Sequence, residues 1–228
     1  MSDGQDRAPA LRTTRSLVYH AIMGVTHTLG FLWPFRTRVV GKEYLPREGG
    51  ALIVSNHASW LDIPLVAKGA TGRHVCFVAR QTLANSRILA HIMESCGAVL
   101  IDPHSGDRGA LKLVVEHLRA GDLVAMYAEG TRSRDGRLGT FKRGALMAAR
   151  QAGVPVIPCA LLGTHRAWGR TMKTPRPAPL EARFGPAIDP KAPDALDQVR
   201  SWIAGELVGT DQECLPQPTG GGDRDEQA

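Results

Sequence analysis

From residue 50 onward the chain alternates short apolar runs with stretches of helical periodicity. The apolar runs Ala51–Ser55, His74–Ala79, Ala98–Ile101, Leu123–Tyr127, Val156–Leu162 and Leu180–Phe184 are too short for helices and predict strands. Apolar positions recur at helical spacing near 62–68, 86–95, 108–119 and 144–152, with a last stretch near 193–207. Gly121, Gly153 and Gly185 stand where such elements stop. This alternation predicts an α/β fold, a single layered domain with a mixed, partly parallel sheet flanked by helices. In such sheets functional groups collect just beyond the carboxyl ends of the strands. The residues after each apolar run are therefore the ones to inspect.

The N-terminal pattern is different. Residues 1–15 are polar and arginine-bearing, without the compact apolar run of a secretory signal. In residues 16–35, Val18, Ala21, Ile22, Val25, Leu29 and Leu32 share one helical face, with His20, Gly24 and His27 opposite. Arg15, Arg36 and Arg38 flank the segment and Trp33 lies near its end. That combination fits an amphipathic helix lying on a membrane surface. A helix packed on the protein's own core has the same signature, whereas a spanning helix would bury both histidines in hydrocarbon. The division that follows is a polar segment over 1–15, a membrane-surface helix over 16–39, a domain over 40–208 and a disordered acidic tail over 209–228.

Composition narrows the partners. At 228 residues, with 43% apolar and 22% charged residues, the chain suits one globular domain and neither a disordered nor a fibrous protein. Cys76, Cys96, Cys159 and Cys214 show no C-x-x-C spacing, which argues against a zinc ribbon or a disulfide framework and for a reducing compartment. The net charge is +6, and because the last twenty residues are acidic, residues 1–208 carry +10. A body this basic suits an anionic partner, whether nucleic acid, anionic membrane or an acidic carrier protein.

Two constellations follow apolar runs. After the first comes Ser55-Asn56-His57-Ala58-Ser59-Trp60-Leu61-Asp62. A histidine and an aspartate five residues apart can meet if the loop folds back, the carboxylate fixing the tautomer of the imidazole and stabilising the imidazolium formed on taking a proton. Taken singly, Asp62 reads as a helix N-cap with Pro64 in the first turn, and His57 as a loop histidine. After the fourth run comes Glu129-Gly130-Thr131-Arg132-Ser133-Arg134, then Phe141-Lys142-Arg143-Gly144. The turn offers N–H groups, a hydroxyl and a guanidinium to a phosphate. Lys142 and Arg143 oppose the dipole of the helix they open, unless an anion sits there. A basic solvated loop is the alternative. A third stretch, Gly153-Val154-Pro155-Val156-Ile157-Pro158, predicts a strand that starts at an edge or lines an opening, because proline cannot donate to a ladder.

Taken in order, these motifs resemble the glycerophospholipid acyltransferase family, most closely its bacterial 1-acyl-sn-glycerol-3-phosphate acyltransferases. The resemblance runs from about Val40 to Leu162. Its H-x4-D signature falls on His57 and Asp62, Glu-Gly-Thr-Arg on Glu129 to Arg132, Phe-Lys-x-Gly on Phe141, Lys142 and Gly144, and the proline-bearing element on Val154 to Pro158. One departure concerns the acceptor. The family's second element usually ends Ile-Asp-Arg, with the arginine on the acceptor phosphate, whereas here Ile101-Asp102 precedes Pro103. Tyr127-Ala128 in place of the common Phe-Pro is a milder departure.

The resemblance implies transfer of a fatty acyl group from a thioester to the sn-2 hydroxyl of a 1-acyl-sn-glycerol 3-phosphate acceptor. It implies His57 as the base and Asp62 as its orienting carboxylate. Arg132 and Lys142 would hold the phosphate, with Arg80 or Arg108 as other replacements for the missing arginine. Asn56, Ser59, Glu129, Gly130 and Thr131 complete the expected substrate-binding set, Glu129 as a structural partner of Thr131 or of a nearby cation. No cofactor and no metal are implied, the donor being acyl carrier protein or a coenzyme A thioester. No G-x-S-x-G elbow is present, consistent with direct attack by the acceptor hydroxyl. The lipid substrate implies a peripheral or monotopic protein at the cytoplasmic face of the cell membrane. The same chemistry on another lysolipid, such as a lyso-ornithine lipid, is the alternative that Pro103 favours. A nucleic-acid binder is disfavoured by 5% aromatic content and dispersed basic residues. A metallohydrolase lacks further ligands at metal spacing.

Overall fold

The strands at the centre of the molecule are continuous apolar runs because both of their faces are covered. In a computed structural model, which describes residues 35–70, 73–80, 98–101 and 106–213 (side chains except at 79–80 and 98–108), every residue of β2 (Ala51–Ser55) and β6 (Val156–Leu162) is buried. The other strands are β1 (Thr37–Val40), β3 (Val75–Arg80), β4 (Ala98–Ile101), β5 (Leu123–Tyr127) and β7 (Leu180–Phe184). The helices are α1 (Asp62–Gly69), α2 (Gly106–Arg119), α3 (Gly144–Ala152), α4 (Thr164–Trp168) and α5 (Ala195–Leu207). The expected helices within 16–34 and 86–95, and the tail beyond 213, lie outside the described residues.

The strands form one seven-stranded sheet in the order β1-β7-β6-β2-β5-β3-β4. All neighbours are parallel except β6 and β7, so the sheet is mixed, as expected. Alternate side chains feed two cores. Ala51, Ile53, Leu123, Ile157 and Leu161 join Leu65 and Val66 of α1 on one face. Leu52, Val54, Val124, Val156 and Ala160 meet Val114 and Leu118 of α2, Ala148 of α3 and Ile203 of α5 on the other. Burying one such aliphatic side chain is worth about 1.5–3 kcal/mol, and truncating fully buried Leu65 to alanine would cost about 2–5 kcal/mol.

Four expectations change. Strand β1 lies inside the segment assigned to the N-terminal helix, so the domain's sheet begins before residue 40. The tail begins later than 209, because Gln212 is fully buried and its Oε1 accepts from the Gly163 N–H at 2.7 Å. Helix α4, only five residues long, was not anticipated. Strand β6 lies inside the sheet, neither at an edge nor lining an opening. Its Pro158 accepts from the Gly185 N–H at 2.9 Å. The N–H that proline lacks lies on that same side, where β7 has already ended at Phe184. Gly153 ends α3 at φ 72, its N–H shared between the Ala149 and Arg150 carbonyls, as its position in the sequence predicts. Among the described residues no helix is long and apolar enough to cross a membrane.

Candidate active site

Strands β2, β5 and β6 run in parallel side by side, so the segments leaving their carboxyl ends meet. The segment after β2 folds back on itself. His57 Nδ1 lies 2.8 Å from Asp62 Oδ2, and the same oxygen accepts from the N–H groups of Ala58 and Ser59, both at 2.8 Å. Asp62 is wholly buried at the start of α1, while the His57 side chain keeps 16% of its surface exposed. Asp62 is therefore not an N-cap. Its carboxylate shapes the loop ahead of the helix and orients the imidazole, and only Oδ1 lacks a partner. Tyr127, the last residue of β5, stacks on the imidazole with ring centroids 3.8 Å apart and 13° between planes. Burial, with the charges of Asp62 and Cys159 adding, pushes the Tyr127 phenol well above its usual range.

The loop after β5 locks against the histidine loop. Glu129 accepts from the His57 N–H through Oε1 at 3.0 Å and from the Gly139 N–H through Oε2 at 3.1 Å. Ser133 N–H donates to the His57 carbonyl at 2.7 Å. Burial pushes the Glu129 carboxyl up to about 7, against the pull of those two N–H groups. Gly130 turns the chain at φ 74, and the end of the Lys142 side chain lies 3.3 Å from where a Cβ would stand. Arg132 lays its guanidinium over Trp60, Cζ 3.6 Å from the ring centroid. One Arg132 nitrogen, Nη1, is buried without a partner. Burial, and then the like charge of Arg170, hold this guanidinium below the usual arginine range, while Asp62 pulls the other way.

A part-exposed imidazole backed by a buried carboxylate, beside a loop rich in cations, suits removal of a proton from a hydroxyl on an anionic molecule. Residues 36–162, more than half of the sequence, match the acyltransferase family model. The chain belongs to the acyltransferase family. It is similar to the chloroplastic 1-acyl-sn-glycerol-3-phosphate acyltransferase BAT2 of Brassica napus, 36% identical over 140 residues, which are 59% of this chain and 40% of that one. It is also similar to the alpha 1-acyl-sn-glycerol-3-phosphate acyltransferase of Homo sapiens, 28% identical over 85% of this chain and 70% of that one. The solved structure of the 1-acyl-sn-glycerophosphate acyltransferase PlsC from Thermotoga maritima superposes with a TM-score of 0.67 at 27% identity, covering 83% of this chain and 76% of that chain. The chain spans about two-fifths of the length of the plant relative.

The fold brings together His57, Asp62, Glu129, Gly130, Thr131, Arg132 and Lys142. Two residues expected to bind substrate do not face it. Asn56 is buried, donating to the Leu161 carbonyl at 2.9 Å and accepting from the Leu161 N–H at 2.8 Å. Its amide spans the gap between β2 and β6 like one more ladder pair. Ser59 is buried too, its hydroxyl donating to the Trp168 carbonyl at 2.8 Å and accepting from the Leu61 N–H at 3.0 Å. The partners of Glu129 are the N–H groups of His57 and Gly139, rather than the expected Thr131 or a cation. Arg80 ends β3 and Arg108 stands in the first turn of α2, and their side chains lie outside the described residues.

Three neighbours went unremarked in the sequence: Trp60, Tyr127 as a stacking partner, and Arg170, whose Nη1 donates to the Arg132 carbonyl at 3.2 Å. Trp60 sits inside the H-x4-D loop and could have been found there. Cys76, His117 and Asp122 bring potential metal ligands within 4.8 Å of one another. This cluster lies near the amino ends of the strands, away from His57. Burial pushes the Cys76 thiol up to about 12, and His117 Nδ1 is already paired with Asp122 Oδ2 at 2.8 Å, so the group closes the turn after α2.

Proposed function

We propose that this chain transfers a fatty acyl group from an acyl thioester to the free sn-2 hydroxyl of 1-acyl-sn-glycerol 3-phosphate, giving phosphatidic acid. The observation that carries this reading is the 2.8 Å contact between His57 Nδ1 and the buried Asp62 carboxylate. A carboxylate at Nδ1 keeps the proton there and leaves the Nε2 lone pair free as a base. Nε2 takes the hydroxyl proton as the acceptor oxygen attacks the thioester carbonyl. The tetrahedral intermediate collapses to the ester, the carbon–sulfur bond breaks, and the departing thiolate takes the proton from the imidazolium. Asp62 stabilises the imidazolium between these two transfers. Arg132 and Lys142 hold the acceptor phosphate, and such positioning supplies several kcal/mol of the barrier reduction. The names of the similar proteins support the acceptor.

The donor is a thioester of acyl carrier protein or coenzyme A, and no cofactor takes part. The basic body attracts acidic donors and anionic lipid alike. The protein works as a peripheral or monotopic enzyme on the cytoplasmic face of the cell membrane, with residues 16–35 contributing to association. Deleting them should weaken binding to anionic vesicles, and undiminished binding would assign that segment to the core. Another lysolipid acceptor is the second reading, favoured by Pro103 after Asp102.

The test is acyl transfer in detergent–lipid micelles with a long-chain acyl thioester, comparing wild type with His57→Ala. The acceptors are 1-acylglycerol 3-phosphate and a phosphate-free lysolipid. Turnover of the phosphate acceptor, abolished in a folded variant, is expected. Turnover of the phosphate-free acceptor alone would move the protein to the second reading, and an active His57→Ala enzyme would remove His57 from the chemistry.

A further inference from the structure

Arg170 belongs to none of the motifs described above, yet the fold delivers it to the cationic loop beyond β5. Gly163 turns the chain at the end of β6 with φ 76, where a Cβ would stand 2.1 Å from the Pro179 carbonyl oxygen, so only glycine fits. Helix α4 follows, and then Gly169 pairs antiparallel with Ser59. The Ser59 hydroxyl, donating to the Trp168 carbonyl at 2.8 Å, fastens the same segment. Residues 168–170 are thereby tied to the loop that carries His57 and Asp62. From there Arg170 Nη1 reaches the Arg132 carbonyl at 3.2 Å and the Thr131 hydroxyl at 3.4 Å.

Two guanidiniums are held together here without an acid between them. Among the described residues neither Arg132 nor Arg170 has a carboxylate within 4.0 Å. The surrounding acids are committed elsewhere: Asp62 Oδ2 to His57 and two N–H groups, Glu129 to two N–H groups, and Asp135 to Ser133 and the Arg137 N–H. Arg132 is fixed against Trp60 with Nη1 buried and unpartnered, so it cannot swing away without losing the stack. Lys142 adds a third cation over Gly130. Clustered cations with no counter-charge of their own suit a dianion bearing several acceptor oxygens, which is the chemistry of a phosphate monoester.

We infer that Arg170 and Arg132 together bind the acceptor's phosphate, and that Arg170 thereby sets the preference for a phosphate-bearing acceptor over a phosphate-free one. The kinetic half of this inference rests on the acyl-transfer reading above, and the binding half does not. Inorganic phosphate is the probe for the binding half, read as thermal stabilisation of wild type, Arg170→Ala, Arg170→Lys and Arg119→Ala. Arg119, exposed at the end of α2 near the amino ends of the strands, controls for loss of one charge. Arg170→Ala should need about tenfold more phosphate for equal stabilisation, with lysine intermediate and Arg119→Ala like wild type. Equal response of wild type and Arg170→Ala would overturn the inference.

In turnover, Arg170→Ala should raise KM for 1-acylglycerol 3-phosphate about 10- to 100-fold, with a smaller change in kcat and a far smaller loss on the phosphate-free acceptor. Equal losses on both acceptors would overturn it, since Arg170 would then act only through the shape of the loop. A wild type silent with both acceptors would instead defeat the acyl-transfer reading, and the phosphate measurement would still decide the role of Arg170.

Discussion

Replacing Asp62 by asparagine removes one charge and keeps the shape. The Oδ2 atom of Asp62 accepts three hydrogen bonds, and an asparagine carbonyl in its place still serves the Ala58 and Ser59 N–H groups. What disappears is the attraction between a carboxylate and the imidazolium that forms on His57 during transfer. With Nδ1 and Oδ2 2.8 Å apart, the charge centres lie about 4 Å apart, worth about 4 kcal/mol at an effective dielectric near 20. That corresponds to a fall in kcat of about a thousandfold, with KM little changed. Stability should fall by only about 1–2 kcal/mol, because weaker bonds replace charge-assisted ones while a buried charge is relieved. The assay pairs initial rates in micelles with urea unfolding of the same samples. An Asp62→Asn enzyme that keeps more than about a tenth of its kcat would refute the argument, leaving Asp62 as a loop anchor alone. A variant that unfolds before it can be assayed would assign the same structural role.

Glu129 gives a pH-dependent prediction. Its carboxyl is raised from 4.5 to about 7, chiefly by burial, so the fold favours the protonated form. This contribution to stability is present at low pH and is lost as pH rises from about 4.5 through 7. Glu129→Gln cannot ionise, so between pH 5 and pH 8 the urea-unfolding gap should move in favour of the variant by up to about 3 kcal/mol. A gap constant with pH would show that the two N–H donors keep the carboxylate ionised throughout. Asn56→Leu should destabilise by about 2–4 kcal/mol, since it orphans the buried N–H and carbonyl of Leu161, and unchanged urea stability would contradict that account. Trp60 is 46% exposed, so Trp60→Ala should leave the fold intact and raise KM for the phosphate acceptor about fivefold by freeing Arg132. Phenylalanine should restore most of the loss, and an unchanged KM in Trp60→Ala would separate the stack from acceptor binding.

The sequence was legible where burial is two-sided or spacing is short. Six strands stood out because runs such as Ala51–Ser55 and Val156–Leu162 are apolar but for Ser55 and Pro158. Strand β1 did not, because its four residues alternate between part-buried and exposed and merge with the amphipathic segment before them. The His57–Asp62 pair was visible from its five-residue spacing. Asn56 and Ser59 were misassigned for a physical reason: a polar side chain beside a reactive histidine reads as a ligand contact until its partner is known. Those partners, Leu161 and Trp168, stand 105 and 109 residues away. Arg170 carries even less local signal, since only the Ser59–Gly169 bridge places it by the site.

The central place of β2 in the sheet explains why this loop can hold His57 so firmly. An edge strand has one neighbour, whereas β2 has β6 on one side and β5 on the other. Each side supplies an anchor. From β6 the Leu161 backbone takes both ends of the Asn56 amide, and from beyond β5 Glu129 takes the His57 N–H while Ser133 gives its own N–H to the His57 carbonyl. The Tyr127 ring covers the imidazole, and Asp62 fixes its tautomer from within the loop. The cations arrive by the same two routes, Arg132 and Lys142 from the β5 side and Arg170 from the β6 side. The His57 imidazole and the cations Arg132, Lys142 and Arg170 are therefore fastened to each other through shared backbone bonds. A displacement of either flanking loop should move the acceptor's hydroxyl and the imidazole apart together, which is why Asn56 and Glu129, though they touch no substrate, are expected to influence kcat as well as stability.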